Sequence, residues 1–228
     1  MTDFSGKNIL VVGGSSGIGL ALVKKLKTNG ATVISASRHQ GDLPEGVQHI
    51  SIDVTQDISA LAGVLPEALH GVAYCPGTIN LKPFARLTEE DFLNDFKINV
   101  LGAVKVLQTA LLKLKNAENA SIVLFSTVAV QTGLSFHASI ATAKGGIEGL
   151  AVSLAAELAP NKIRVNAIAP SLTETPLAGN LLSTPEKKEA SNKRHPLGRY
   201  GTAEELAGVA NFLLSDDSSW MTGQVLHI

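Results

Sequence analysis

Three glycines, Gly13, Gly17 and Gly19, stand where an apolar run ends and a helical pattern begins. The run Ile9–Val12 is typical of a strand that is buried on both faces, and residues 18–28 carry apolar side chains at helical spacing. Glycine permits a tight turn there and lets backbone N–H groups approach an anion at the positive end of the helix. The pattern therefore predicts a loop that binds the pyrophosphate of a dinucleotide, and a tight turn without a ligand is the alternative. The loop residues are Gly13, Ser15, Ser16, Gly17, Ile18 and Gly19.

The elements that would position this loop alternate along the chain. Apolar runs predict seven strands, at Ile9–Val12, Ala31–Ala36, Val47–Ile52, Val72–Cys75, Ser121–Ser126, Lys162–Ile168 and Gln224–Ile228. Helical patterns predict five helices between them, at residues 18–28, 57–69, 89–115, 138–159 and 202–214. Such alternation with short connections predicts an α/β protein with a parallel sheet and helices on both faces.

Residues 172–199 break this alternation. The segment is rich in Thr, Pro, Asn, Lys and Glu and is too long for an ordinary connection. It indicates a lid or substrate-binding loop, and a disordered surface insertion is the alternative that its composition leaves open. No other segment reads as a linker or repeat, so we expect residues 1–228 to form one domain.

Composition excludes several classes of function. The chain has 228 residues, 45% of them hydrophobic, and a formal net charge of −1, so it lacks a surface for nucleic acid. No stretch reaches the roughly 18 apolar residues of a membrane span. Cys75 is the only cysteine, and the polar residues 1–7 lack a signal-peptide core. We therefore expect a cytoplasmic protein without a nucleic-acid or membrane partner, and we assign no metal ligands.

Several further motifs occur in order and at compatible spacing. They are Asp53-Val54, Asn99 within Lys97–Val100, Lys144 within Ala143–Gly145, the segment Ile163–Pro170, Thr175, and Met221–Leu226. Together with the glycine loop, they resemble the short-chain dehydrogenase/reductase family over nearly the whole length. The resemblance implies a Rossmann-type, doubly wound fold with a seven-stranded parallel sheet. It also implies a nicotinamide cofactor, a small-molecule substrate and a homodimer or homotetramer built on two long central helices.

The resemblance also assigns residues to the cofactor. In such folds a carboxylate at the end of the second strand binds the free ribose of NAD, but here Ser37 and Arg38 stand at that position. A guanidinium matches the geometry of a phosphate, so we expect NADP(H) in preference to NAD(H). A solvated surface arginine is the alternative. The remaining cofactor residues implied by the resemblance are Asp53 and Val54 along the adenine, Gly77 and Pro170 beside the cofactor, Lys144 at the nicotinamide ribose and Thr175 at the nicotinamide amide.

The family reduces carbonyl groups with a Ser-Tyr-Lys set and a supporting Asn. Lys144 and Asn99 match this set, Thr127 stands at the serine position, and Ile140 stands at the tyrosine position, four residues before Lys144. Isoleucine has no ionisable proton, so the resemblance implies an atypical member that lacks the usual general acid. Tyr74 and Tyr200 lie elsewhere in the predicted fold and do not substitute for it.

His137 is a candidate for the missing acid. It precedes Lys144 by seven residues, which is the tyrosine–lysine separation of the bacterial enoyl-acyl carrier protein reductase branch of the family. An imidazole that titrates near neutrality could donate a proton to a substrate. A solvent-facing histidine at a helix N-terminus is the alternative, and it is favoured by a glycine loop that resembles the ordinary branch.

Two functions fit these residues. The first is an NADP(H)-dependent oxidoreductase that acts on a small or acyl-type carbonyl or enoyl substrate, with Asn99, Thr127, Lys144 and His137 at the reaction. The second is a catalytically degenerate protein that holds NADP(H) as a sensor or scaffold. Retained binding residues fit both, and we favour the enzyme.

Overall fold

The computed structural model describes residues 2–228, and their strands form one large parallel sheet. The strands are β1 (Asn8–Val12), β2 (Thr32–Ser37), β3 (Gln48–Ser51), β4 (Gly71–Tyr74), β5 (Ala120–Phe125), β6 (Ile163–Ala169), β7 (Thr173–Glu174), β8 (Gly201–Thr202) and β9 (Val225–His227). Seven of them form the large sheet, in the order β3-β2-β1-β4-β5-β6-β9. The short strands β7 and β8 pair separately.

Helices cover both faces of the sheet. The α-helices are α1 (Gly17–Thr28), α2 (Ser59–Ala62), α3 (Glu89–Phe96), α4 (Gly102–Lys115), α5 (Ala129–Thr132), α6 (Ala138–Leu158), α7 (Pro185–Arg194) and α8 (Ala203–Leu214). A π-helical turn spans Lys97–Leu101, and 3-10 turns span Phe84–Arg86, Ala159–Asn161, Pro176–Leu182 and Asp216–Ser218. Helices α1 and α8 bury their apolar stripes in one core, and α4 and α6 bury theirs in the other. None of the helices in residues 2–228 has both the length and the apolar character to cross a membrane.

This architecture confirms the predicted doubly wound fold. The central strands are mainly apolar because each is covered on both faces, and β5 is buried along its whole length. The strand order reverses at β1, which lies between β2 and β4. In open parallel sheets, ligands bind at the carboxyl edge beside such a reversal. That edge carries Gly13, Ser37, Asp53, Gly77, Thr127 and Pro170, which lie at or just after the ends of six strands.

The predicted helix over residues 57–69 is wrong. Only the single turn α2 forms, and Gly63 is its C-cap residue. Pro66 lacks the N–H that a continuing helix would need. Leu61, Leu65 and Leu69 are nevertheless buried in the core, so their helical spacing comes from a packed loop.

The predicted helix over residues 89–115 forms, but the π-helical turn divides it into α3 and α4. The buried Tyr74 hydroxyl donates a hydrogen bond to the Ile98 carbonyl at 2.5 Å. Burial raises the pKa of Tyr74, so the phenol stays protonated and can donate. A Cβ atom at position 102 would lie 2.2 Å from the Tyr74 hydroxyl, so Gly102 makes room for this contact. The π turn carries Asn99, and such turns are frequent at functional sites.

Residues 172–199, for which the sequence left a lid and a disordered insertion open, form short regular elements in the structure. The segment contains β7, the 3-10 turn Pro176–Leu182 and α7. Helix α7 begins with Pro185, and the Thr184 side chain accepts a hydrogen bond from the Lys187 N–H. These are favourable N-terminal signals, and they explain why a polar sequence is helical here.

Candidate active site

A cavity of about 500 Å³ opens at the carboxyl edge of the sheet. Apolar side chains from the β4 and β5 loops and from residues 172–199 form much of its lining: Ile79, Leu81, Leu134, Leu172, Leu177 and Leu181. Polar groups enter from Thr127, His137, Lys144, Ser171, Arg194 and His195. An apolar enclosure with a few convergent polar groups is typical of a small-molecule site.

The structure brings the four predicted catalytic residues to this cavity. Thr127, His137 and Lys144 line it, together with Ile140. Asn99 lies immediately beside it, because a Cβ atom at Gly77 would be 3.3 Å from Lys144 Nζ and 3.4 Å from Asn99 Oδ1. Residues from α6, from the π turn and from the ends of β4 and β5 therefore meet at one point.

Lys144 is 8% exposed, and its ammonium group donates to the Phe125 carbonyl at 2.7 Å. Desolvation lowers its pKa to about 8, while the charge of Asp95 acts in the opposite direction. The ammonium group therefore loses its proton more readily than that of an exposed lysine. Cys75 lies nearby in the cavity wall, and desolvation raises the pKa of its thiol to about 12, so it is not a nucleophile.

The two hydroxyl groups at the end of β5 have different partners. Ser126 is buried and donates to Glu148 Oε1 at 2.6 Å. Thr127 Oγ1 accepts a 3.3 Å hydrogen bond from the Ala129 N–H, which leaves its own proton for another acceptor. Thr127, the residue at the predicted serine position, is therefore the one that can donate into the cavity.

His137 is the residue just before α6, half-buried at the cavity wall. Its Nδ1 atom lies 2.8 Å from the Ser135 carbonyl oxygen. Because a carbonyl can only accept, Nδ1 carries the proton, and in the neutral ring Nε2 is an acceptor. His137 can thus donate from Nε2 only as an imidazolium.

The glycine loop leaves the start of α1 open. Gly13 and Gly17 have positive φ angles of 78° and 52°, which disfavour other residues. A Cβ atom at Gly19 would lie 2.2 Å from the Gly13 carbonyl oxygen. Ser16 is the N-cap residue, yet its side chain makes no capping bond, and the first turn has no acidic residue. The first N–H groups of α1 are therefore available to an anion.

The residues predicted to hold the adenosine end lie beside this loop. Arg38 is exposed after β2, and the following turn packs closely, since a Cβ atom at Gly41 would be 2.4 Å from the Ser15 carbonyl oxygen. Ser37 is buried and donates to the His39 carbonyl. Asp53 Oδ1 accepts from the Thr55 N–H and hydroxyl, which lower its pKa, and Arg38 adds to this effect.

Of three other residues predicted to bind the cofactor, one is buried in the core and two line the cavity. The Val54 side chain is buried in the core, so it is not free to cover a ligand. Pro170 and Thr175 both line the cavity, and Thr175 also lies against the glycine loop, 3.4 Å from where a Gly17 Cβ would be. Ile18 joins the same wall. The open α1 terminus, the glycine cradle and the buried Lys144 fit a dinucleotide whose nicotinamide end enters the cavity.

Comparison with known proteins gives the family. Residues 12–228 match the family model described as Enoyl-(Acyl carrier protein) reductase. L-xylulose reductase of Bos taurus is 34% identical over 98% of this chain and 95% of that protein. The chain belongs to the short-chain dehydrogenase/reductase family. This family binds NAD(P)(H), and the protein is an oxidoreductase of that type.

Two further relatives cover the full length of this short-chain dehydrogenase/reductase. The 3-oxoacyl-(acyl-carrier-protein) reductase of Thermotoga maritima is 34% identical over 98% of this chain and 96% of that protein. The solved aldohexose dehydrogenase of Thermoplasma acidophilum superposes with a TM-score of 0.92 at 25% identity. That alignment covers 100% of this chain and 94% of the other.

Sequence reasoning missed several polar residues of this short-chain dehydrogenase/reductase. Asp95 and Ser139 are buried and form a hydrogen-bonded cluster with Thr78, which is half-buried and lines the cavity. Asp95 stands four residues before Asn99, and this helical spacing is the one signal that could have found it. On the opposite wall, Ser171 Oγ lies 2.8 Å from His195 Nε2 and ties the end of β6 to the end of α7.

Proposed function

We propose that this protein binds NADPH along the carboxyl edge of its sheet and reduces a carbonyl or enoyl group of a small or acyl-type substrate. The observation that carries the proposal is the convergence of Lys144, Thr127, His137 and Asn99 on one cavity beside the glycine loop. The mainly apolar lining supports an acyl-type compound over a polyol, because buried apolar walls leave hydroxyl groups without partners. By name, the relatives include enzymes for both kinds of substrate.

The proposed cofactor site uses the residues named above. The glycine loop and the first turn of α1 hold the pyrophosphate, Asp53 and the backbone at Val54 border the adenine, and Gly77 with Pro170 borders the nicotinamide. Lys144 donates to the nicotinamide ribose, and Thr175 binds the nicotinamide amide. We further propose that residues 1–228 form one domain in which residues 172–199 act as the lid of the substrate cavity.

The reaction then needs three contributions from the chain. When bound, the reduced nicotinamide supplies a hydride. Thr127 donates a hydrogen bond to the substrate oxygen, and the Lys144 ammonium favours negative charge that develops near it. Asn99 holds a proton-carrying water, and the proton passes to the substrate from His137 or from water, since Ile140 has none to give.

Removing the Arg38 guanidinium is expected to raise the Kd for NADPH by about 10–100-fold, since a charge-assisted contact to phosphate contributes roughly 1.5–3 kcal/mol. The Kd for NADH, which has no 2′-phosphate, should change little. Titration calorimetry of Arg38→Ala with both cofactors measures the difference. Arg86→Ala removes the same charge from an exposed 3-10 turn and serves as the control. Equal weakening of both cofactors would refute recognition of the 2′-phosphate by Arg38.

Substitution of His137 by Gln is expected to lower kcat by about 10²-fold, because Gln keeps a polar side chain but cannot transfer a proton. The KM for NADPH should stay the same. Initial rates of NADPH oxidation give both constants, and His195→Gln provides a matched control at the other cavity histidine. Undiminished turnover in His137→Gln would assign proton delivery to water.

The experiment for the function as a whole separates enzyme from binding protein. Purified protein is titrated with NADPH and then assayed for NADPH oxidation with panels of ketones, 3-oxoacyl thioesters and enoyl thioesters. We expect binding together with turnover on an acyl-type compound. Binding without turnover on any panel would instead support the degenerate sensor or scaffold, and failure to bind either nicotinamide cofactor would overturn the proposal.

We also propose that the chain assembles as a homodimer or homotetramer through α4 and α6. Leu112 on α4 and Val152 on α6 are 66% and 52% exposed, which supports an apolar contact surface on these helices. A solution mass of one chain by light scattering would contradict this.

The single cysteine fits a reducing compartment, and we propose that the protein is cytoplasmic, which cell fractionation tests.

A further inference from the structure

A carboxylate is buried directly behind the cavity. Asp95 is 2% exposed, its Oδ2 accepts a hydrogen bond from the Ser139 hydroxyl at 2.5 Å, and its Oδ1 accepts one from the Thr78 hydroxyl at 2.6 Å. Within residues 2–228, no Lys, Arg or His side chain lies within ion-pair distance of it. Burial of a carboxylate without a cation is costly, so its surroundings must explain its presence.

Asp95 connects the three segments that carry the proposed reaction. Thr78 follows Gly77 in the loop after β4, and Ser139 precedes Ile140 in the first turn of α6. Asn99 lies four residues after Asp95, in the π turn. One carboxylate thus holds together the loop, the π turn and the start of the helix that contains Lys144.

The same cluster fixes the amide of Asn99, which is fully buried. Asn99 Nδ2 donates to the Asp95 carbonyl at 2.8 Å and to Thr78 Oγ1 at 3.0 Å. The main-chain carbonyl can only accept, so it holds one N–H of the amide, and Thr78 Oγ1 holds the other. Thr78 Oγ1 acts as an acceptor here because its own proton is given to Asp95. Without the Asp95 carboxylate, the Thr78 hydroxyl proton would have no acceptor there and would compete with the Asn99 N–H for the same position.

One polar atom of this cluster remains unused. Asn99 Oδ1 is buried and accepts no hydrogen bond from any residue between 2 and 228. It borders the small space beside Gly77 that Lys144 Nζ also borders. A buried carbonyl oxygen without a donor is unfavourable, so it is suited to receive a hydrogen bond from an ammonium group or a water in that space.

We propose that Asp95 is a positioning residue that acts through Thr78 to keep Asn99 Oδ1 turned toward Lys144. The catalytic importance of this arrangement rests on the proposed function, whereas the arrangement itself belongs to the folded chain. Through Thr78, the Asp95 carboxylate thus orients the acceptor atom Asn99 Oδ1.

The ionisable groups around Lys144 define the expected titration. Cys75, just after β4, and Asp95, on α3, raise its pKa. Glu148 lies one helical turn later on α6, and His137 lies just before that helix. Desolvation lowers the pKa of Lys144 to about 8, and Asp95 opposes this effect. Removal of the Asp95 charge takes away part of what opposes desolvation, so the pKa of Lys144 is expected to fall.

The test is performed on the intact chain without cofactor or substrate. NMR of selectively labelled Lys144 Nζ gives its titration midpoint in the wild type and in Asp95→Asn, and we expect a lower midpoint in the variant. Asp91→Asn removes the same charge one turn earlier, where Lys82 is the partner, and serves as the matched control. An unchanged midpoint in Asp95→Asn would overturn the proposal.

A second pair of variants tests the amide. The side-chain NH₂ of Asn99 should give two well-separated, slowly exchanging NMR signals in the wild type and in Thr78→Ser, which keeps the hydroxyl. In Thr78→Val these signals should collapse or shift strongly, and identical spectra for both variants would overturn the proposal. Because neither readout uses turnover, a wild type that oxidises no NADPH would count against the proposed function and leave this inference to be decided by the spectra.

Discussion

Placing a tyrosine at position 140 is expected to raise kcat/KM for ketone reduction by about 10²–10⁴-fold, the usual contribution of a positioned general acid. Ile140 lines the cavity, is 5% exposed and lies one helical turn before Lys144. A phenol at this position would extend into the cavity, and the adjacent ammonium would lower its pKa toward the working range. Steady-state rates of NADPH oxidation with a ketone panel measure the gain.

The matched control is Ile140→Phe, which adds nearly the same volume without a hydroxyl group. A rise in Ile140→Tyr that Ile140→Phe does not share assigns the gain to the phenol proton. If the two variants react at the same rate, the phenol is not in reach of the substrate, and the cavity does not share the geometry that the family resemblance implies.

Adding one methyl group to Gly19 is expected to lower the free energy of unfolding by about 3 kcal/mol or more and to abolish measurable NADPH binding. The new Cβ atom would lie 2.2 Å from the Gly13 carbonyl oxygen and 2.8 Å from its carbon. These are backbone atoms, so relief requires α1 to move away from the end of β1. Urea denaturation of Gly19→Ala gives the stability, and calorimetry gives the binding.

Gly208→Ala supplies the control for this substitution. Gly208 lies within α8 and has no atom within 4 Å of where a Cβ would be, so alanine there should stabilise the chain by roughly 0.5–1 kcal/mol. A Gly19→Ala variant with native stability and native affinity would show that the start of α1 is free to shift, contrary to the cradle described above.

Local patterns were sufficient to predict most of the sheet and the glycine loop. Most strands of the large sheet are rich in apolar residues because helices cover both faces, and the loop follows directly from residues adjacent in sequence. The same reasoning failed at residues 57–69, where Leu61, Leu65 and Leu69 are buried at helical spacing but only Leu61 lies in a helix, the single turn α2. The spacing of apolar residues indicates which side chains are buried, and a loop packed against the core can show the same spacing as a helix.

Sequence patterns of this kind could not predict the cluster around Asp95. Thr78 and Ser139 contact Asp95 from 17 and 44 residues away, and the pairing of Ser171 with His195 spans 24. No periodic pattern links residues at those separations, because only the fold brings the β4 loop, α3 and α6 together. Lys144 and Asn99 were found earlier because their motifs are local, whereas the groups that orient Asn99 are not.

The contact between Tyr74 and Gly102 restricts the order in which this chain can change over evolutionary time. A side chain at position 102 would displace the phenol that donates to the Ile98 carbonyl and would lie 3.1 Å from Val54. Gly102 can therefore be replaced only after Tyr74 has been exchanged for a smaller residue and if Val54 can shift by a few tenths of an ångström. The reverse order passes through a clashing intermediate. Libraries that vary position 102 alone will record it as intolerant, and its permitted alternatives will emerge only when both codons are randomised together.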